Sequence, residues 1–211
     1  LGSWALINNG DASHNVGVGW QAMFENNRGN YNVALGDSVF FTNTEGHGNV
    51  AIGSCAGFVT HADSANEYTV SAGYLAQVSG NVTNAITIGA YSAVNANNTA
   101  RIGNPAMVSI GGWQDWTNIS DARVKRNITE NVPGIEFIKR LRPVTYNMDI
   151  DAYYKLTGFK QANAEDITTK EQMLQAGFIA QEVDAAAKAS GFDFSGVDRP
   201  QNDKNLYGLR Y

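Results

Sequence analysis

Along the first half of the chain, apolar positions recur two apart in short runs that end on glycine. The runs are "NVGVGWQA" (15 to 22), "NVALGDSV" (32 to 39), "NVAIGSCA" (49 to 56), "YTVSAGYLA" (68 to 76) and "AITIGAYSA" (85 to 93), with a shortened copy "ARIGN" (100 to 104). Val16 and Val18, Val33 and Leu35, Val50 and Ile52, and Ile86 and Ile88 have the period of a β-strand. The phased glycines are Gly19, Gly36, Gly53, Gly73, Gly89 and Gly103, and in most copies a small or β-branched residue lies three positions beyond. Asn-rich connectors such as "NNRGNYN" and "NANN" fill the gaps, where Asn and Gly tolerate left-handed backbone. Strands too short to bury a face alone, repeated in phase, predict a β-solenoid over residues 1–104. A meandering antiparallel sandwich accounts for the alternation but not for six glycines in phase. The longest gap, between Gly53 and Gly73, predicts a projecting loop over 54–72.

Past Gly103 the pattern changes. "GNPAMVSIGGWQDWTNI" combines Pro, paired Gly and two Trp, and residues 105–117 read as a connector. Helical spacing then appears in "IEFIKRLRP", which places Ile135, Ile138 and Leu141 on one face and stops before Pro143. "VTYNMDI" alternates like a strand, and "EQMLQAGFIAQEVDAAAKAS" joins a strand around "AGFIA" to a helix from about Gln181 that Gly191 ends. Residues 118–211 therefore form a small α+β domain.

The composition fits a turn-rich β architecture, with 17% charged residues and 22 glycines in 211. A formal net charge of -5 gives no general pull toward nucleic acid or an anionic membrane. The one cysteine, Cys55, excludes an intrachain disulfide, and with three scattered His it argues against a metal cage. Neither a cofactor nor a metal is expected. No apolar run approaches the length of a membrane span, and "LGSWALINNGDA" lacks the basic start and apolar core of a signal peptide. The sequence begins without Met, which points to a fragment or a processed piece.

The chemistry-bearing stretch is "NISDARVKRNITENVPG", residues 118 to 134, in which Ser120 precedes Lys125 by five positions. Propensity accounts for it as a helix start, with Ser120 as N-cap, Asp121 at the positive end of the dipole, and Lys125 in water. The chemical alternative makes Ser120 a nucleophile, and Lys125 its base once neutral. Lys ionises near pH 10.4 in water, so burial or neighbouring cations must lower that value, and Arg123 and Arg126 are the candidates. Backbone N–H groups after Ser120 are in position to hold an oxyanion. Positions three and four apart share a helix face, so residues five apart meet only if Ser120 lies outside the first turn, or across chains.

Residues 13 to 104 resemble the head repeats of trimeric autotransporter adhesins and many phage fibres, whose repeat core is "NVAIG-x-x-A". That resemblance implies left-handed parallel β-rolls, three chains around a shared axis. "SDARVKRNI", "IKRLRPVTYNM", "GFIAQEV" and "LYGLRY", in that order, resemble the intramolecular chaperone autoprocessing domain that ends phage tail spikes, endosialidases and neck appendages. This second resemblance implies a domain that trimerises, drives folding of the fibre before it and cuts itself off once, beside the motif serine, with a Ser–Lys dyad. It assigns Ser120 as nucleophile and Lys125 as general base, and it matches Asp121 and Asn127 as residues shaping the site. Gln181 and Glu182 match as well, with a structural role equally open. Family members continue past "YGLRY" into a coiled-coil helix, whereas the sequence ends at Tyr211, so that helix is expected to be missing.

Together these readings describe the C-terminal part of a homotrimeric virion tail fibre or extracellular appendage, made in the bacterial cytoplasm. It needs no nucleic acid and no membrane insertion. A non-cleaving trimerisation cap is one alternative. A receptor-binding tip that contacts a host glycan or protein through Trp20, Phe24, Phe40, Phe41, Phe58 and Tyr74 is another. An enzyme acting on a soluble substrate finds no acid pair or phosphate loop, and "GVGW" lacks the strand-to-helix context of a dinucleotide motif.

Overall fold

The computed structural model describes residues 2–57, 65–111, 113, 115–159 and 164–210. Residues 58–64 of the expected 54–72 loop, Phe58 included, lie outside the described residues, whereas its later part belongs to the roll, with Glu67 bridging His47 and Thr83 and Val70–Ala72 forming a strand. The repeats each supply one short strand: β1 (Val16–Val18), β2 (Val33–Leu35), β3 (Val50–Ile52), β4 (Val70–Ala72), β6 (Ala85–Ile88) and β8 (Thr99–Ile102), with β5 (Gln77–Val78) and β7 (Ala93–Val94) between. β1, β2, β3, β4, β6 and β8 form one parallel sheet in sequence order, and β5 pairs with β7 in a second. The register is unshifted, so that Val16 lies beside Val33, Val33 beside Val50, Val50 beside Val70 and Val70 beside Ile86. Repetition without insertion at the strands leaves this as the one register that aligns every glycine. The chain is a β-solenoid followed by a small domain of short helices and strands.

The strands present their apolar residues outward. In each of β1 to β4 and in β6 it is a small or hydroxylated residue, Gly17, Ala34, Ala51, Ser71 or Thr87, that is buried inside the coil. Val16 is 49% exposed and Ile88 43%. Successive coils are too narrow to enclose two branched side chains per strand. The remaining interior is filled by the position three beyond each glycine (Ala22, Val39, Ala56, Ala76, Ser92, Ala106), all buried, with Met23 and Phe40 at the centre.

The glycines permit the stacking. Gly19 has φ 134°, and a Cβ there would stand 2.1 Å from the Gly36 carbonyl oxygen. Gly2 stands in the same relation to Gly19, and Leu6 N–H donates to the Ala22 carbonyl at 3.0 Å. A further coil therefore precedes the first strand-bearing repeat, which the alternation could not reveal because no strand run opens it.

The asparagines do more than turn corners. Asn15, Asn32 and Asn49 each accept, through Oδ1, the backbone N–H of the next coil (Asn32, Asn49, Thr69) at 2.9 Å. Their side-chain amides donate to the carbonyls of Gly29, Gly46 and Asn66 at 2.7, 2.7 and 2.6 Å. The left-handed corners expected of Asn and Gly are taken in part by His14, Tyr31 and Tyr68, and by Gln21, Ser38, Cys55 and Leu75. Stacking against the neighbouring coil outweighs the local preference at those positions.

Beyond the roll the chain passes through a 3-10 turn (Ala122–Val124), α1 (Gly134–Ile138), β9 (Val144–Tyr146), α2 (Ile150–Thr157), α3 (Ala164–Gln172), β10 (Gln175–Gly177), α4 (Ala180–Ala189), β11 (Val197–Asp198) and β12 (Gly208–Leu209). The chain divides into two compact units. The first joins residues 1–108 with 148–172 and 201–205, so that α2 and α3 belong with the roll. There Ile150, Tyr154 and Ile167 surround Ala106, and Asn202 donates to the Asn95 carbonyl at 3.0 Å. The second unit comprises 109–147, 173–200 and 206–211. β9 and β10 are antiparallel, as are β11 and β12, and the core gathers Phe137, Val183, Ala187 and Val197 with Leu141, Phe178 and Phe194 alongside. α1 forms where its spacing predicts, but it buries Phe137 and leaves Ile135 and Ile138 exposed, because the aromatic cluster of Phe192 and Phe194 recruits the largest side chain.

Candidate functional site

Ser120 and Lys125 meet. Lys125 Nζ donates to Ser120 Oγ at 2.7 Å, with both residues exposed. The contact depends on a short turn in place of a helix. Asp121, not Ser120, is the N-cap, and its carboxylate accepts the Arg123 N–H at 2.8 Å. One 3-10 turn follows, closed by the Val124 and Lys125 N–H groups on the carbonyls of Asp121 and Ala122, each at 3.2 Å. Lys125 then returns to extended backbone (φ -99°, ψ 136°), which leaves Ser120 outside the turn and the lysine stem free to fold back on it. A continued α-helix would separate residues five apart.

The electrostatics differ from the sequence expectation in one respect. Arg123 forks its guanidinium onto Asp121, at 2.6 Å from Nη2 to Oδ2 and 3.0 Å from Nε to Oδ1. That pairing holds the Asp121 carboxyl below the usual carboxylate range and assigns the positive charge of Arg123 to Asp121. The N–H of Arg123, one of the donors expected to face an oxyanion, is used by the same cap. Asn127 has φ 53°, a left-handed residue that redirects the chain after the basic stretch.

Gln181 and Glu182 open α4 in the second unit. Glu182 accepts from Arg142 at 3.0 and 2.5 Å in a bidentate pair that holds its carboxyl below the ordinary range, while Gln181 is exposed. The pair ties the start of α4 to the residue before Pro143. Arg142 and Asp184 were not picked out from the sequence. Asp184, with only 6% of its side chain exposed, accepts from Arg199 Nη2 at 2.6 Å and Lys188 at 2.6 Å, and Asp193 accepts from the same Arg199 nitrogen at 2.8 Å. Its place directly after "GFIAQEV", on the buried face of α4, was the available signal.

The segment that carries Ser120 buries none of its described residues between Ser109 and Val132. Trp113 is fully exposed, and Trp116, Ile119, Val124, Ile128 and Val132 are all exposed, an apolar series left uncovered among the described residues. Among the described residues no helix is long and apolar enough to cross a membrane.

Residues 120–192 match the family model described as chaperone of endosialidase. No curated protein and no solved structure matches the chain. The matched segment begins on Ser120 and runs through α4, so the C-terminal part of this chain is an intramolecular chaperone domain of the endosialidase type.

Proposed function

We propose that the chain is the C-terminal part of a homotrimeric fibre whose last domain guides trimer folding and then releases itself by a single peptide cleavage beside Ser120. The chaperone role in trimer folding rests on the family match. The cleavage rests on one observation, the 2.7 Å contact between Lys125 Nζ and Ser120 Oγ. Neutral Lys125 takes the proton of Ser120 as the oxygen attacks a neighbouring peptide carbonyl. The resulting ester replaces the amide, the amine leaves with the proton returned by Lys125, and water hydrolyses the ester. Asp121 sets the turn that brings the two groups together, and Asn127 redirects the chain after it.

The outward apolar rows of the roll and the uncovered apolar series from Trp113 to Val132 support self-association of three chains in register. Assembly that withdraws Lys125 from water favours its neutral form, so cleavage reports correct assembly. The exposure of both dyad residues in one chain fits this dependence, and equally fits a cap that never cleaves.

Intact mass of freshly expressed parent, Ser120→Ala and Lys125→Ala chains tests the reading. Two parental fragments meeting near residue 120, with both variants whole at 22.7 kDa, establish self-cleavage and the dyad. A parent that stays whole under conditions where it is trimeric leaves the non-cleaving cap. For the assembly dependence, Trp113→Asp with Trp116→Asp is expected to give monomers that cleave more slowly than the parent. Cleavage of those monomers at the parental rate sinks it.

A further inference from the structure

On the roll, three successive coils build a groove of about 610 Å³, lined by Ile7, Asn8, Glu25, Asn27 and Thr44 among others. Its backbone is fixed by the coil-to-coil ladder: Asn8 bridges Glu25 in parallel, Asp11 N–H donates to the Asn27 carbonyl at 2.9 Å, and Arg28 N–H to the Thr44 carbonyl at 2.9 Å. Thr44 is only 8% exposed, and its hydroxyl has no hydrogen-bond partner among the described residues. Buried hydroxyls are ordinarily paired, so this one marks a position where a partner is due.

The other polar groups are also uncommitted. The Glu25 carboxylate makes no ion pair among the described residues, because Arg28, the cation of its coil, is held by Glu45 at 2.9 Å. The side-chain amides of Asn8 and Asn27 make no hydrogen bond within the described residues, whereas Asn9 spends its side chain on Ala12, Asn15 and Asn26. Ile7, 55% exposed, contributes an apolar wall.

We infer that this groove, set by the juxtaposition of Glu25, Asn8, Asn27 and Thr44 beside Ile7, binds a neutral saccharide. A carboxylate accepts two sugar hydroxyls, amide and hydroxyl side chains both donate and accept, and an aliphatic wall covers the C–H face of a pyranose. An unpaired carboxylate repels acidic sugars and phosphates in a chain of net charge -5. A calcium ion takes six to eight oxygens and is commonly bound through several carboxylates, of which the groove supplies one. The inference is independent of self-cleavage, since the groove lies wholly within the roll unit.

Saturation-transfer NMR on the full chain tests it, with galactose, glucose, mannose, N-acetylglucosamine, lactose and maltose as probes, sialyllactose as the acidic counterpart, and calcium chloride titrated calorimetrically. Glu25→Gln and Thr44→Val keep side-chain shape, and Glu45→Gln serves as a control outside the groove. The expected result is a signal from at least one neutral sugar, weakened about tenfold by Glu25→Gln and by Thr44→Val and unchanged by Glu45→Gln, with melting temperatures alike. No signal from any neutral sugar, a signal indifferent to both groove variants, or binding of sialyllactose or calcium alone overturns the inference.

Discussion

At the scale of single residues, asparagine side chains complete backbone hydrogen bonds between successive coils. Asn49 accepts from the N–H and hydroxyl of Thr69 at 2.9 and 2.8 Å and donates to the Asn66 carbonyl at 2.6 Å, all within the roll. Asn49→Ala leaves those buried groups unmatched, at about 1–3 kcal/mol each, so a fall in stability on the order of 3 kcal/mol is expected in denaturant unfolding. A loss below about 0.5 kcal/mol would show that water replaces the ladder. In the second unit the Asp184 carboxyl is held below its ordinary range by Arg199 first and Lys188 second. Its folded value is lower than its unfolded one, near 4, so its contribution is complete above about pH 4 and disappears as pH falls through the folded value. Asp184→Asn should therefore melt below the parent at pH 7, and the gap should close on acidification. A gap that persists to strongly acid pH would assign the loss to shape instead of charge.

At the scale of elements, the strands are inverted relative to a conventional amphipathic sheet: small residues inside, branched ones outside. The rows of Val16, Val18, Ile52, Ile86 and Ile88 are exposed on one chain, and they are the surface to test for the proposed self-association. Ile52→Asp with Ile88→Asp should leave the coil intact by circular dichroism while sedimentation shows loss of the oligomer. If the double variant sediments like the parent, these rows are not the contact. The opposite substitution probes the interior. Ala51 is fully buried, and Ala51→Val should cost about 1–3 kcal/mol through overpacking although valine favours strands. The 3-10 turn at Ala122–Val124 follows the same rule, because Asp121 and its bond to Arg123 decide where the turn starts and so where Ser120 stands.

At the scale of the whole molecule, the sheet is built from pairings 14 to 20 residues apart along the chain, repeated without variation in register. Such contacts form slowly and tempt neighbouring chains into shifted pairings, a difficulty that a C-terminal chaperone domain with a role in trimer folding is suited to relieve. A folded state that requires three chains melts higher at higher protein concentration. A melting temperature independent of concentration would place self-association outside the folding equilibrium.

The roll was legible from the sequence because a repeat with one glycine per coil constrains register at every coil at once. The α4 helix and the strand before it were legible for a local reason, a strand run followed by helical spacing and Gly191. What the alternation of Val16 with Val18 could not state is which face turns inward. A period of two places side chains on opposite faces, and only the width of the closed coil decides that the smaller ones go inside. Likewise the motif put Ser120 and Lys125 five residues apart, but their contact depends on a turn that ends after Val124, where Lys125 returns to extended backbone. α2 and α3 carried no pattern that set them apart, and their place with the roll comes from Ile150, Tyr154 and Ile167 meeting Ala106, a contact between distant positions that no local spacing encodes. By itself, the sequence determined the repeat, its register and the family of the last domain, because these follow from local spacing and motif order. Tertiary structure alone decided the inward face, the uncovered apolar surface and the meeting of serine with lysine, because each depends on the space left by residues far apart in the chain.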